Sequence, residues 1–169
     1  MRVLGIDPGL SRCGYDCLDS SGPRGATPVA VGVLRTPVDA PVPIRLGELQ
    51  RELRALLVEL RPDAVAVERV FAQANTRTVI GVAQASGLAL AEAVNGGIEV
   101  AEYSPNQVKE AVAGWGGARK DEVARMVQVL LGADVPTKPA DAADAVALAL
   151  CHIAHAGHRR TVAAAGSRR

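Results

Sequence analysis

Residues 2–18 read "RVLGIDPGLSRCGYDCL". The first six residues make a short apolar run that ends on an acid, Asp7. Pro8 and Gly9 then break it, and a second run follows through "CGYDCL". That pattern predicts strand, tight turn, strand. A third apolar run, "VAVGVL" at 29–34, lies beyond a loop marked by Gly22, Pro23, Gly25 and Pro28, so the chain opens as a β-meander.

After the meander the period changes. Leu46, Leu49, Leu53, Leu56 and Leu60 recur at alternating steps of three and four, the stripe of an amphipathic helix over 45–60 that Pro62 stops. "AVAVE" at 64–68 predicts a short buried strand ending on a second acid, Glu68. A helix over about 76–94 is closed by "NGG", and "IEVAEY" predicts a fifth strand. "SPNQ" starts the next helix, with Ser104 as N-cap, Pro105 in the first turn and Gln107 at the capping-box position. That helix carries Lys109 and ends near Gly114. Helices over about 119–131 and through "ADAADAVALALCHIA" complete the order, an α/β pattern around a mixed five-stranded sheet flanked by helices.

At 169 residues the chain has the length of one domain. The expected division is a folded domain over 1–158 and a basic, disordered tail over 159–169. No apolar run approaches the ~20 residues of a membrane span, and "RVLGID" is too short for a signal peptide, so the expected address is cytoplasmic, with no membrane partner. Cys13, Cys17 and Cys151 lack a paired framework and read as reduced thiols. His152, His155 and His158 read as a solvated helix end. The net charge of +1 argues neither for nor against nucleic acid. From charge alone, the cluster of Lys109, Arg119, Lys120 and Arg125 reads as a solvated face and the basic terminus as a frayed tail.

The acids are more informative. Asp7 and Glu68 occupy matching places at the ends of two strands that a helical crossover would make parallel, the sheet edge where α/β proteins place ligands. Asp141 and Asp144 stand three apart in an otherwise apolar helix, on one face. Taken singly, each acid could serve a turn, a cap or a helix dipole. Gathered together, they would repel one another unless a cation intervened. Hard oxygen donors suit Mg²⁺ or Mn²⁺, and four carboxylates can hold two ions about 4 Å apart, an arrangement suited to phosphodiester hydrolysis.

With these residues in place, the sequence resembles the RuvC-type Holliday junction endonucleases. The likeness runs from "GIDPGLSRCGY" through "GVLRT", "AVERVF", "VAQASGLALAEAVN", "EYSPNQVKEAV" and "GWGGARK" to "DAADAVALALCH". It implies an RNase H-like fold and a homodimer that binds four-way junction DNA in recombination and repair. Such a dimer cuts two strands symmetrically, with Mg²⁺ or Mn²⁺ at two ions per site, leaving 5′-phosphate and 3′-hydroxyl ends, and works with the RuvA and RuvB branch-migration proteins. By position it assigns Asp7, Glu68, Asp141 and Asp144 as metal-holding catalytic acids. Lys120 becomes the transition-state cation, Phe71 the aromatic that stacks on a base, and Lys109, Lys120, Arg69 and Arg77 the backbone contacts. The 76–94 helix, with Gly81, Ala83, Ala85 and Gly87, becomes the dimer interface. Asp16 departs from the family pattern: relatives usually carry a small or apolar residue there, and its strand would need an exposed face or a polar partner. Three rival readings remain: an RNase H-like nuclease for RNA or flaps, a nucleotide binder on the strength of "GIDPG", and a non-catalytic junction-binding module.

Overall fold

A computed structural model describes the backbone of residues 1–22, 25–71, 76–132 and 140–166, with side chains over the same ranges except at 76–78, 140–141 and 157–166. The elements run β1 Arg2–Asp7, β2 Arg12–Ser20, β3 Ala26–Arg35, α1 Val42–Leu60, β4 Ala64–Glu68, α2 Thr76–Asn95, β5 Glu99–Tyr103, α3 Pro105–Ala113, α4 Lys120–Leu131 and α5 Ala140–Gly166. The five strands form one sheet in the order β3-β2-β1-β4-β5. The meander pairs antiparallel, and β4 and β5 add in parallel to β1. This is the mixed sheet expected from the sequence.

Alternation along β1 and β4 splits the core in two. Leu4, Ile6, Val65 and Val67 face the leucines of α1 (Leu49, Leu53, Leu56, Leu57, Leu60) and the alanines Ala85, Ala89 and Ala93 of α2. On the other face, Val3, Leu18, Ala66 and Tyr103 meet α3, α4 and α5 through Val108, Val112, Val127, Val146 and Leu148. Burying the leucine stripe contributes roughly 1.5–3 kcal/mol per side chain. The stripe therefore fixes which face of α1 turns inward.

On the second face α5 comes down onto the sheet backbone at Gly5, which lies between Asp16 of β2 and Ala66 of β4. A Cβ at Gly5 would overlap the Ala145 carbonyl oxygen and stand 3.0 Å from the Ala149 nitrogen. Backbone cannot yield there as a flexible side chain would. Gly5→Ala is expected to cost about 1–3 kcal/mol through overpacking, which calorimetry would register as a melting midpoint lower by about 3–10 °C. An unchanged midpoint would mean that α5 can ride higher than it does here.

Three local expectations are revised. α1 begins at Val42 rather than Arg45, because Pro41 and Pro43 suit a helix start. α5 continues to Gly166, so the boundary drawn at 158 falls inside a helix. His152 is wholly buried rather than solvated: its Nδ1 lies 3.0 Å from the Tyr103 hydroxyl, and His155 stacks on the same tyrosine ring at 5.2 Å. The histidines thus tie α5 to β5. The side chain of His158 lies outside the described residues. All three cysteines are buried outside any disulfide, and burial pushes the Cys17 and Cys151 thiols up to about 12. Among the described residues, no helix is long and apolar enough to cross a membrane.

Candidate active site

Asp7 and Glu68 end the neighbouring parallel strands β1 and β4, two residues after Gly5 and Ala66, and so continue the alternation on the α5 face. The turn after Asp7 is braced from below. Arg45, buried near the start of α1, donates from Nε to Thr36 Oγ1 at 3.0 Å and from Nη2 to Ser11 Oγ at 2.5 Å. The Thr36 hydroxyl in turn donates to the Leu10 carbonyl at 2.5 Å. Nothing in the sequence singles out Arg45, because an arginine one residue before the leucine stripe reads as a solvated helix start. Its environment makes it a strut for the strand that presents Asp7.

Two helix starts supply the cations. The Ser104 capping box forms as the sequence predicts, with Ser104 Oγ accepting from the Gln107 N–H at 3.3 Å and Gln107 Oε1 accepting from the Ser104 N–H at 2.9 Å. That start sets the angle from which half-buried Lys109 enters. At the head of α4, Glu122 Oε2 accepts from the Arg119 N–H at 2.7 Å, and acids in the first turn complement the positive helix end. Lys120 is the first residue of α4, and its Nζ donates to Asp144 Oδ2 at 2.9 Å.

Glu68, Lys109, Lys120 and Asp144 line one small cleft of about 110 Å³, floored by Val108, Val123 and Leu148. Burial pushes the Glu68 carboxyl above its usual range, with Asp144 adding to the rise and Lys120 opposing it. Lys120 is held above the ordinary lysine value by its hydrogen bond to Asp144, and Asp7 and Glu68 reinforce this. Asp7, Glu68 and Asp144 therefore act electrostatically on one cation. Asp141 lies one turn before Asp144 on α5, but its side chain is outside the described residues.

Among the described residues, no three carboxylates stand close enough to close around a single ion. The donor set nonetheless fits a hard divalent cation: Asp7, Glu68 and Asp144 all act on Lys120, which is bonded to Asp144, and Glu68 is raised by burial and then by Asp144.

The remaining candidates lie around this cleft to different degrees. Phe71 is exposed just past β4. Arg69 is exposed, and its N–H extends the β4–β5 ladder to the Tyr103 carbonyl at 2.8 Å. Arg77 is in the first turn of α2, with its side chain outside the described residues.

The sequence matches the family described as crossover junction endodeoxyribonuclease RuvC over residues 3–152. The chain belongs to the RuvC family. A curated RuvC from Salinispora arenicola is 52% identical over 168 residues, covering 99% of this chain and 96% of the relative. Among solved structures, T. thermophilus RuvC in complex with Holliday junction substrate superposes with a TM-score of 0.88 at 37% identity, over 94% of this chain and 96% of that one. The yeast mitochondrial Holliday junction resolvase is similar at a TM-score of 0.68 and 16% identity, over 90% of this chain and 77% of that one, a likeness of fold alone. The RNase H-like architecture expected from the sequence is thus shared with the RuvC structures and this resolvase.

Proposed function

We propose that this chain is a metal-dependent endonuclease that resolves four-way DNA junctions. The observation that carries this reading is the gathering of Asp7, Glu68 and Asp144 around Lys120 at the carboxyl edge of β1 and β4, in a chain of the RuvC family. Asp7, Glu68, Asp141 and Asp144 would hold Mg²⁺, with Mn²⁺ able to replace it. Divalent ions there would supply Lewis acidity, neutralising the scissile phosphate and lowering the pKa of nearby water.

The chain's own groups do the rest. Lys120, bonded to Asp144, can pass its ammonium to a phosphate oxygen as charge builds there. Lys109 enters the same cleft and would hold the flanking backbone, as would Arg69 and Arg77 farther out. Phe71 would stack on a base near the crossover. Valines and a leucine beneath the carboxylates keep water from the floor of the cleft, which strengthens each of these interactions. Cutting would leave 5′-phosphate and 3′-hydroxyl ends.

One set of catalytic acids per chain calls for a two-fold dimer on a two-fold substrate. The outward stripe of α2, which includes Ile80, Ala83, Gly87 and Val94, supports that helix as the interface. Two of the small residues expected to line it do not: Ala85 is buried in the core, and Gly81 faces Leu10. Cooperation with RuvA and RuvB follows from the family likeness.

The deciding experiment incubates the purified chain with a labelled four-way junction and a linear duplex of equal length, with and without Mg²⁺, and reads the products on a denaturing gel. Paired, metal-dependent nicks in the junction alone are expected. Equal cutting of the duplex would remove the junction from the proposal, and tight binding without cutting under Mg²⁺ or Mn²⁺ would leave a binding module.

A further inference from the structure

The chain has one tryptophan, and it is not in the core. Trp115 is 55% exposed, in the loop between α3 and α4. Its placement is built. Gly114 ends α3 in the left-handed region at φ 87°, its N–H donating to the Glu110 carbonyl at 2.9 Å. The Ala118 N–H then donates to the Trp115 carbonyl at 3.3 Å, and Ala118 itself is fully buried, which anchors the far end of the turn. Between them, the six-membered ring of the indole lies on Gly117: a Cβ there would overlap Cζ3 and stand 3.1 Å from Cη2. The glycine supplies a flat seat for the ring while more than half of the side chain faces solvent.

The surroundings say what such a surface fits. The loop joins the helix carrying Lys109 to the helix beginning at Lys120, and both lysines line the cleft with Glu68 and Asp144. Arg119 follows in the same turn, its side chain 74% exposed and its guanidinium paired with Asp121 at 3.3 Å. A seated aromatic face in the loop that joins two cation-bearing helices is the pairing used to hold nucleic acid with unstacked bases, where the cations take phosphates and the ring takes a base. A seated ring also loses little freedom on binding.

We propose that Trp115 is an aromatic platform for DNA, stacking on an unpaired or splayed base of the junction strand held by Lys109 and Lys120, in addition to the contact assigned to Phe71. This rests on the junction-cutting reading and adds a recognition residue to it. Because the base is bound by its face, the contact tolerates sequence and favours DNA whose bases are already unstacked, as at a crossover.

Trp115 is the only tryptophan, so the emission of the full chain reports this contact directly. In EDTA, titration with a four-way junction should quench the emission at the midpoint given by anisotropy of a labelled junction. A duplex of equal length should quench it much less. Trp115→Ala should weaken junction binding about tenfold, equally at low and high salt, since the ring neutralises no phosphate. Trp115→Phe should stay within about twofold. Junction binding with unchanged emission, or an alanine variant that binds as tightly as the parent, overturns the platform and leaves the junction-cutting reading standing. Absence of any anisotropy change overturns both. Emission that shifts with protein concentration before DNA is added assigns the ring to a contact between copies of this chain and overturns the proposal.

Discussion

Replacing Asp144 with asparagine is expected to slow junction cutting by about a hundredfold to a thousandfold while leaving junction binding as tight as before or tighter. The rate loss follows from electrostatics. Asp144 lines the cleft with Glu68 and adds to the rise that burial gives the Glu68 carboxyl, so the pair concentrates negative charge beside Lys120. Asparagine keeps the shape and removes one charge, so the site holds a divalent cation less firmly and stabilises the developing charge less well; losses of about 10²–10³ are usual for one well-placed group of this kind. The effect on binding runs the other way. The Lys120 ammonium is committed to Asp144 at 2.9 Å, and its side chain is otherwise 82% exposed. Freed from that carboxylate, it can meet a phosphate, and the phosphate approaches a less negative floor. Single-turnover cleavage and anisotropy on the same preparation separate the two effects. Cutting within tenfold of the parent would remove Asp144 from the catalytic set, and loss of cutting and binding together would point to a damaged α5.

The part of this site legible in the sequence is the part that follows from period and punctuation. Asp7 and Glu68 could be placed at matching strand ends because each closes a short apolar run, and the fold puts them on adjacent parallel strands. The Ser104 box was equally readable, since Ser, Pro and Gln at those offsets have a local mechanism that needs no tertiary context. What the sequence does not carry is long-range pairing between side chains. The contact of Lys120 with Asp144 joins residues 24 apart through the packing of α4 on α5, and position alone offered Lys120 only by likeness to a family. Arg45 and His152 fail for the complementary reason. Both are polar residues that read as solvated, and both become buried once Thr36 and Ser11, or Tyr103, fold around them. On α2, small residues marked a close-packed helix without saying which side was packed: Ala85 turned inward and Gly87 outward.

The largest stability effect is expected at Asp16, where asparagine should leave the protein unchanged near pH 4 and stabilise it by roughly 4 kcal/mol at pH 8. Asp16 pairs with Gly5 on one side and Val31 on the other. It therefore shares the face of Gly5, onto which the α5 backbone packs. It is 0% exposed, and neither carboxylate oxygen has a hydrogen-bond partner among the described residues. Neither the open face nor the polar partner that the sequence required is there, and burial pushes its carboxyl up from 3.8 to about 7. Because that value is raised in the fold, the native state binds more protons than the unfolded chain between these pH values. Stability is therefore greatest below the unfolded value, falls as pH rises toward about 7, and is flat above it. The gap between the two values corresponds to about 4 kcal/mol. Every other carboxylate on this face is common to parent and variant, so the difference between the two proteins isolates Asp16. Urea midpoints of both at intervals from pH 4 to pH 8 would trace the curve. A difference that stays flat across the range would mean that the carboxylate reaches water or a cation in solution, and that α5 does not seal the sheet at Gly5 as tightly as it does here.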